Sequence, residues 1–502
     1  VISKDISSRK ALFALLLITL LAFSLRTYSL DTESIWVDEA YSLRYAFQEN
    51  SGVVMSEIAQ TEAAPFGYYL LLHKWIKWFG TSVFAARFLS VIFGVLAVLL
   101  LYFMIVPYFG RKTALLSSLF MAVSMTQVLY SQEIRLYSLF TFLSLFSTYS
   151  FLRLFRAETT SSRSTKSLYL SYGLYILAML LCLYVNYISV FLVFLFTLYI
   201  LWNWKRSRHF FFNWILIHTL MGLFLIPLFP LLLKQYQILN AGAAATYLKL
   251  GVPAALAKLG IWMFTLPLVL VGGLLALTLV FRKKVESSIR RIKMPSWLFF
   301  VAILVFSASY VYLTLSPLTI FGIPLFRVPI TNSYFLVRHS LFLAPVIYVL
   351  FSYLSLKMFS KKLAVISILL ILLTSLFSLG VYYVTPTKME WEEAVSYIHE
   401  QSEGTPSIFL DSGGIANSFS INYYDQGFSG IHNLTWTTGW RQAAELSPQE
   451  VAAAFSSEEK FWLLLSKNSR PYDYYQEKVP LNYRLEDSEE FYGLSLYKYS
   501  VD

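Results

Sequence analysis

Apolar residues in this chain do not alternate with polar ones at the period of a half-buried strand, nor do they form narrow helical stripes. They run on in long blocks. A hydrocarbon core about 30 Å thick takes about 20 residues of helix at 1.5 Å rise per residue. Blocks of that length centre near Leu20, Leu96, Ala122, Thr148, Leu177, Leu195, Leu223, Leu270, Ser307, Val346 and Leu372. They predict a mainly α, polytopic membrane protein of about eleven transmembrane helices. The first block, ALFALLLITLLAF, follows Arg9 and Lys10 as a secretion signal would. No small-residue cleavage site comes after it, so it is expected to stay as the first span.

The pattern changes after residue 385. Hydropathy falls, and residues 386–502 read as a soluble α/β domain following a membrane domain of residues 1–385. WEEAVSYIHEQ spaces Trp391, Val395 and Ile398 for one helical face, while SIFLD and KFWLLLSK are short apolar runs suited to buried strands. LSPQEVAAAF starts a helix with Ser447 as N-cap and Pro448 at the first helical position. NYRLEDSEEFYGLSLYKY predicts a strand pair. The domain carries no Gly-rich phosphate loop, which favours binding or support over independent catalysis.

Composition agrees: 57% of residues are hydrophobic and 14% charged, more apolar surface than one soluble core can hide. The net charge of +11 raises the question of nucleic acid. The cations fall instead in short clusters between apolar blocks: Lys4/Arg9/Lys10, Arg111/Lys112, Arg153/Arg156/Arg163/Lys166, Lys205/Arg206/Arg208, six between Arg282 and Lys293, and Lys357/Lys361/Lys362. All fall on alternate linkers, and the positive-inside rule makes that side cytoplasmic. The N-terminus is then cytoplasmic and the C-terminal domain extracytoplasmic. The lone Cys182 lies in an apolar run, where a buried inert thiol is expected.

The outer linkers hold the acids. The first, residues 29–86, is far longer than a connection requires. In it SIWVDEAYS sets Asp38 beside Glu39 near the end of the first span. A carboxylate at a dry boundary has its charged form disfavoured, which raises its basicity and suits it to general-base work; the pair also fits a solvated acidic turn. Further on, PFGYYLLLHKWIKWFG places His73, Lys74 and Lys77 on one face of a helix, a pattern for an interfacial helix facing lipid phosphates and equally for ordinary packing. Arg87 enters the second span and needs a phosphate, a carboxylate or water there. The short second outer loop, YSQEIRLYSL, holds Glu133, Arg135 and Tyr137. YFLVRHSLFLAP sets Arg338 and His339 at the outer end of the tenth span, and the Arg fork suits phosphate.

At these residues the chain resembles the multispan GT-C glycosyltransferases, which include the protein O-mannosyltransferases and aminoarabinose transferases. Four landmarks match in order: the Asp38–Glu39 pair, TEAAPFGYYLLLHKW, YSQEIRLYSL and the Arg of FLVRHSLFLAP. They cover about the first 355 residues, and their order is more specific than any one of them. The resemblance implies transfer of a sugar from a polyprenyl-phosphate donor to a lipid, glycan or protein acceptor outside the cytoplasm, with inversion. It makes Asp38 the base with Glu39 beside it, gives Glu62 and Glu133 roles in shaping the acceptor or donor side, and sets Arg135 and Arg338 on the departing phosphate. Tyr137, His339, Arg87, His73 and Lys74 complete the expected binding set, and nucleic acid has no part in it. Relatives often carry His-Pro-Pro where this chain has Ala64-Pro65-Phe66, which removes a potential ligand and leaves little support for a divalent metal. A flippase for lipid-linked saccharides, or a polysaccharide polymerase or ligase, is the alternative. Charges gathered at the outer boundary and unlike halves speak against the first, and the early position of the acidic loop against the second.

Overall fold

The first apolar block forms helix α1 (Ser8–Thr27), which leaves Leu12, Phe13, Leu16 and Leu20 more than half exposed on its outer side. Leucines and phenylalanines face outward in this way only where the solvent is lipid. The structure is a computed structural model; it describes residues 7–62, 64–159, 165–238, 319–320, 323–324, 341–358, 361–402, 404–411, 418–424, 431–438, 442–467 and 469–502. The long loop after α1 is folded into three helices: α2 (Val37–Ala46), α3 (Ser51–Thr61) and α4 (Gly67–Phe79).

Helix α5 (Val83–Ala122) is forty residues long and is interrupted at Gly110, whose backbone has φ 79° and ψ 169°. There the chain doubles back, so that Ser118 Oγ donates to the carbonyl of Val98 at 3.2 Å, twenty residues away. Glycine alone takes that positive φ without penalty. Residues 83–109 and 111–122 thus form an antiparallel pair, in the region where spans are expected around Leu96 and Ala122, with Arg111 and Lys112 at the tip. Short helix α6 (Met125–Leu129) prolongs the second arm. Helices α7 (Tyr137–Glu158), α8 (Thr165–Val185), α9 (Val190–Trp202), α10 (Trp204–Phe224) and α11 (Phe229–Ile238) follow, then α12 (Ala344–Met358) and α13 (Lys361–Val384).

By length and composition five described helices can cross a membrane, namely α1, α5, α7, α8 and α13, and the bent pair of α10 and α11 makes six if it is one span. The chain is a multi-pass membrane protein. The spans expected near Leu270 and Ser307, and the basic cluster from Arg282 to Lys293, lie outside the described residues.

The segment after α13 builds a five-stranded mixed sheet from β1 (Ser407–Asp411), β2 (Ile431–Asn433), β5 (Lys460–Ser466), β6 (Tyr483–Phe491) and β7 (Leu494–Val501), in the order β2-β1-β5-β7-β6; β3 (Thr435–Thr438) and β4 (Gln442–Glu445) form a separate hairpin. β1 runs parallel to β2 and β5, while β7 is antiparallel to β5 and β6. One face buries Trp391, Val395 and Ile398 of α14 (Trp391–Glu400) and Ile421 of α15 (Ser418–Tyr424). The other buries Val451 and Phe455 of α16 (Pro448–Phe455) and Tyr475 of α17 (Tyr472–Gln476). Ser447 caps α16 as its sequence predicts, its hydroxyl accepting from the Glu450 N–H while the Glu450 carboxylate accepts from Ser447 N. β6 closes one side of the sheet and carries Glu486, Asp487, Glu489 and Glu490.

Candidate active site

Asp38 and Glu39 occupy the first turn of α2, where the helix dipole favours carboxylates. Adjacent helical residues point about 100° apart, and the two acids part company. Glu39 is completely buried. The fork of Arg87 meets it twice, Nε to Oε1 and Nη2 to Oε2, both at 2.9 Å. Lys388 Nζ reaches Oε2 at 2.9 Å, and the N–H of Ile134 donates to Oε1 at 3.0 Å. Burial alone raises the Glu39 carboxyl; Arg87 and then Lys388 outweigh it and bring it down to about 2.

Arg87 therefore finds a carboxylate rather than a lipid phosphate. Its remaining N–H groups go to the carbonyls of Leu30 at 2.8 Å, Glu33 at 2.9 Å and Ser34 at 3.3 Å, which fasten the loop ahead of α2 to the top of α5. Its side chain is 2% exposed, so the guanidinium is enclosed by Glu39 and these carbonyls. The same burial encloses Glu39, whose carboxylate joins Arg87, Lys388 and the backbone of Ile134.

Asp38 stays reachable, with its side chain 22% exposed, and its Oδ2 lies 3.9 Å from Arg135 Nε. Arg135 Nη1 reaches Glu62 Oε2 at 3.3 Å, Tyr69 OH at 3.1 Å, Ser42 Oγ at 3.3 Å and the Asp38 carbonyl at 3.3 Å. Tyr69 OH in turn donates to Glu62 Oε2 at 2.7 Å. The guanidinium lies 6.0 Å from the Tyr69 ring centre and 5.9 Å from that of Tyr137. Two acids of the first loop and one cation of the second thus share one cluster, with Arg135 between the acids. Glu133 is buried in the same turn, its carbonyl accepting from Arg135 N at 2.8 Å.

Helix α4 departs from the expected basic face. His73 is fully buried, with Nδ1 2.8 Å from the carbonyl of Ala46, because α4 packs its inner side on the end of α2. Lys74 and Lys77 remain outside, and Lys77 Nζ donates to the carbonyl of Glu49 at 3.2 Å. Arg338 and His339 lie outside the described residues. Among the described residues no group of three or more His, Cys, Asp or Glu side chains gathers to hold a metal.

Three contributors escaped the sequence reading. Gln235 on α11 donates to the carbonyls of Glu62 at 2.7 Å and Ala64 at 3.1 Å, tying the Glu62 segment to the bundle. Lys388 had no local pattern to mark it. Arg26 had one, an ionisable residue within an apolar block. It is fully buried and donates to the Met121 carbonyl at 3.3 Å, the Ala122 carbonyl at 3.1 Å and Ser131 Oγ at 3.2 Å, capping the end of α5 and anchoring the turn that carries Arg135. Gly94 makes this possible, because a Cβ there would lie 2.3 Å from Ser131 Oγ and 3.0 Å from Arg26 Nε. Gly94→Ala is expected to cost about 1–3 kcal/mol by overpacking, read as a lower melting temperature in detergent; a variant that melts with the wild type removes the anchoring role.

Residues 63–234 match the sequence model of the family described as dolichyl-phosphate-mannose-protein mannosyltransferase. None of the curated proteins matches the chain. Among solved structures it is similar to ArnT from Cupriavidus metallidurans bound to undecaprenyl phosphate, with a TM-score of 0.55 and 12% identity over 96% of this chain and 97% of that one. It is also similar to the oligosaccharyltransferase of Archaeoglobus fulgidus in its apo form, with a TM-score of 0.50 and 12% identity over 92% of this chain and 70% of that one. At such identities the likeness is one of fold, and the fold is the GT-C fold. The family match and the fold together support the resemblance to membrane glycosyltransferases found in the sequence.

Proposed function

We propose that this chain, a multi-pass membrane protein with the fold of the GT-C glycosyltransferases, transfers a sugar from a polyprenyl-phosphate carrier to an acceptor hydroxyl on the extracytoplasmic face, with inversion. The observation that carries the reading is the meeting of Asp38 and Glu62 of the first loop with Arg135 of the second in one partly accessible cluster. The relative from Cupriavidus metallidurans is bound to undecaprenyl phosphate, which supports a lipid carrier as donor.

In the proposed reaction the Asp38 carboxylate takes the proton of the acceptor hydroxyl as its oxygen attacks the anomeric carbon. The bond from that carbon to the carrier phosphate breaks on the opposite face, and polyprenyl phosphate leaves with the bonding pair. Arg135 holds Asp38 and Glu62 in register and lends positive charge to the site; Arg338 is the proposed partner of the leaving phosphate, whose growing charge calls for a fixed cation in a low-dielectric setting. Glu62 faces the acceptor side, with Glu133 and Tyr137 shaping the walls. Lys74, at the surface of α4, is placed to meet lipid headgroups.

The proposed topology puts the N-terminus in the cytoplasm and residues 386–502 outside. Two features support it: Arg111 and Lys112 sit at the Gly110 turn, and the C-terminal domain rests on the first loop at the other end of α5.

The test is direct. Purified protein in liposomes, given a polyprenyl-phosphate sugar and candidate acceptors, is expected to raise the acceptor mass by one sugar residue and to release polyprenyl phosphate. Intact donor appearing in the opposite leaflet, with no acceptor modified, would identify a carrier and sink the transferase.

A further inference from the structure

We infer that Lys388 is a positioning residue for the transfer reaction, and that the C-terminal domain acts through it to set the spacing between Asp38 and Arg135. The inference rests on the transferase reading above.

The Glu39 carboxylate is the pivot. Oε1 accepts from Ile134 N at 3.0 Å, and Ile134 is the chain neighbour of Arg135. Oε2 accepts from Trp36 N at 3.4 Å, at the mouth of the helix that carries Asp38. One buried group therefore pins both halves of the reacting cluster, and a shift of that group changes the 3.9 Å separation of Asp38 and Arg135. Lys388 Nζ grips the same Oε2 at 2.9 Å from the segment that joins α13 to the C-terminal domain.

Charge argues against a merely neutralising role. Arg87 alone balances Glu39 and satisfies both of its oxygens. Lys388 adds a second cation to Oε2 with its side chain 10% exposed, from the wall of a pocket that Glu33, Glu390 and Glu393 also line.

The surroundings show what it serves. Every residue of the stretch 33–35, immediately ahead of α2, bonds to the C-terminal side. Glu33 accepts from Thr387 N at 2.6 Å, Ser34 Oγ accepts from Glu392 N at 2.9 Å and donates to Glu393 Oε2 at 3.1 Å, and Ile35 N donates to Tyr424 OH at 2.7 Å. The domain therefore seats on the lead-in to the Asp38 helix, and Lys388 carries that seating into its core.

The experiment compares wild type, Lys388→Met and Lys388→Arg as full-length protein in detergent or liposomes. A displacement of about 1 Å at a reacting group costs up to about 10²-fold in rate. Lys388→Met is therefore expected to lower kcat by about that factor with KM for the lipid donor unchanged, and Lys388→Arg to recover most of it. Without any donor, amide exchange over residues 34–40 and 131–136 is expected to quicken in Lys388→Met and to return in Lys388→Arg. An unchanged kcat in Lys388→Met overturns the inference, and so does a loss that follows the melting temperature alone with no rescue by Arg. If the wild type transfers no sugar, the transferase reading fails by itself; unchanged exchange in Lys388→Met would then overturn the strap as well, and quickened exchange would uphold it.

Discussion

Asp38→Asn is expected to lower sugar transfer by about 10²- to 10⁴-fold, the usual contribution of a positioned general base, while donor binding and melting temperature stay near wild type. The asparagine keeps the size and planarity of the side chain but has no basic oxygen to take the acceptor proton. The Asp38 carboxylate is 3.9 Å from Arg135, and the closer acid on that cation is Glu62 at 3.3 Å. The measurement is turnover of a polyprenyl-phosphate sugar beside binding of the same donor. A variant with wild-type turnover removes Asp38 from the chemistry. A variant that loses binding and turnover together would mean that Asp38 holds the donor.

Glu39→Gln, one residue along, is expected to act on the fold as well as on the placing of Asp38 and Arg135. It strips the Glu39 carboxylate from Lys388 and from the buried Arg87 cation, a change worth about 3–5 kcal/mol. The readout is thermal or denaturant unfolding in detergent, and a wild-type melting temperature would remove the ion cluster from the list of supports. Acid has the corresponding signature. With its folded-state value brought down to about 2, Glu39 contributes stability that is complete above the unfolded glutamate value of about 4.3 and fades as pH falls through the folded value. The wild type is thus expected to lose this part of its stability progressively as pH falls from about 4.3 toward about 2, and Glu39→Gln to show no such acid-dependent component.

The contrast between two neighbouring acids marks the limit of the sequence. The described spans were legible because a bilayer imposes a simple demand, that residues facing lipid be apolar; the middle of α1 exposes Leu12, Phe13, Leu16 and Leu20, and that of α13 exposes Val365, Ile366, Leu369 and Leu373. The Ser447 and Pro448 start of α16 was legible because capping is settled within four residues. Asp38 was flagged together with Glu39, and nothing local says which of the two faces inward. That is decided by Arg87, 48 residues on, and by Lys388, 349 residues on. His73 shows the same limit, for the helical spacing grouped it with Lys74 and Lys77, whereas the carbonyl of Ala46 on another helix determines which edge of the group is buried. Gly94 carries no signal at all until Arg26 and Ser131 are seen to close over it.

The acidic strand β6 bears on how neighbouring molecules treat one another. An open strand edge invites hydrogen bonding to any similar edge, and proteins confined to two dimensions collide often. Two copies brought edge to edge through β6 would set Glu486, Asp487, Glu489 and Glu490 of one against the same residues of the other. Such acids repel one another across that edge, and the repulsion weakens as salt rises and the charges are screened.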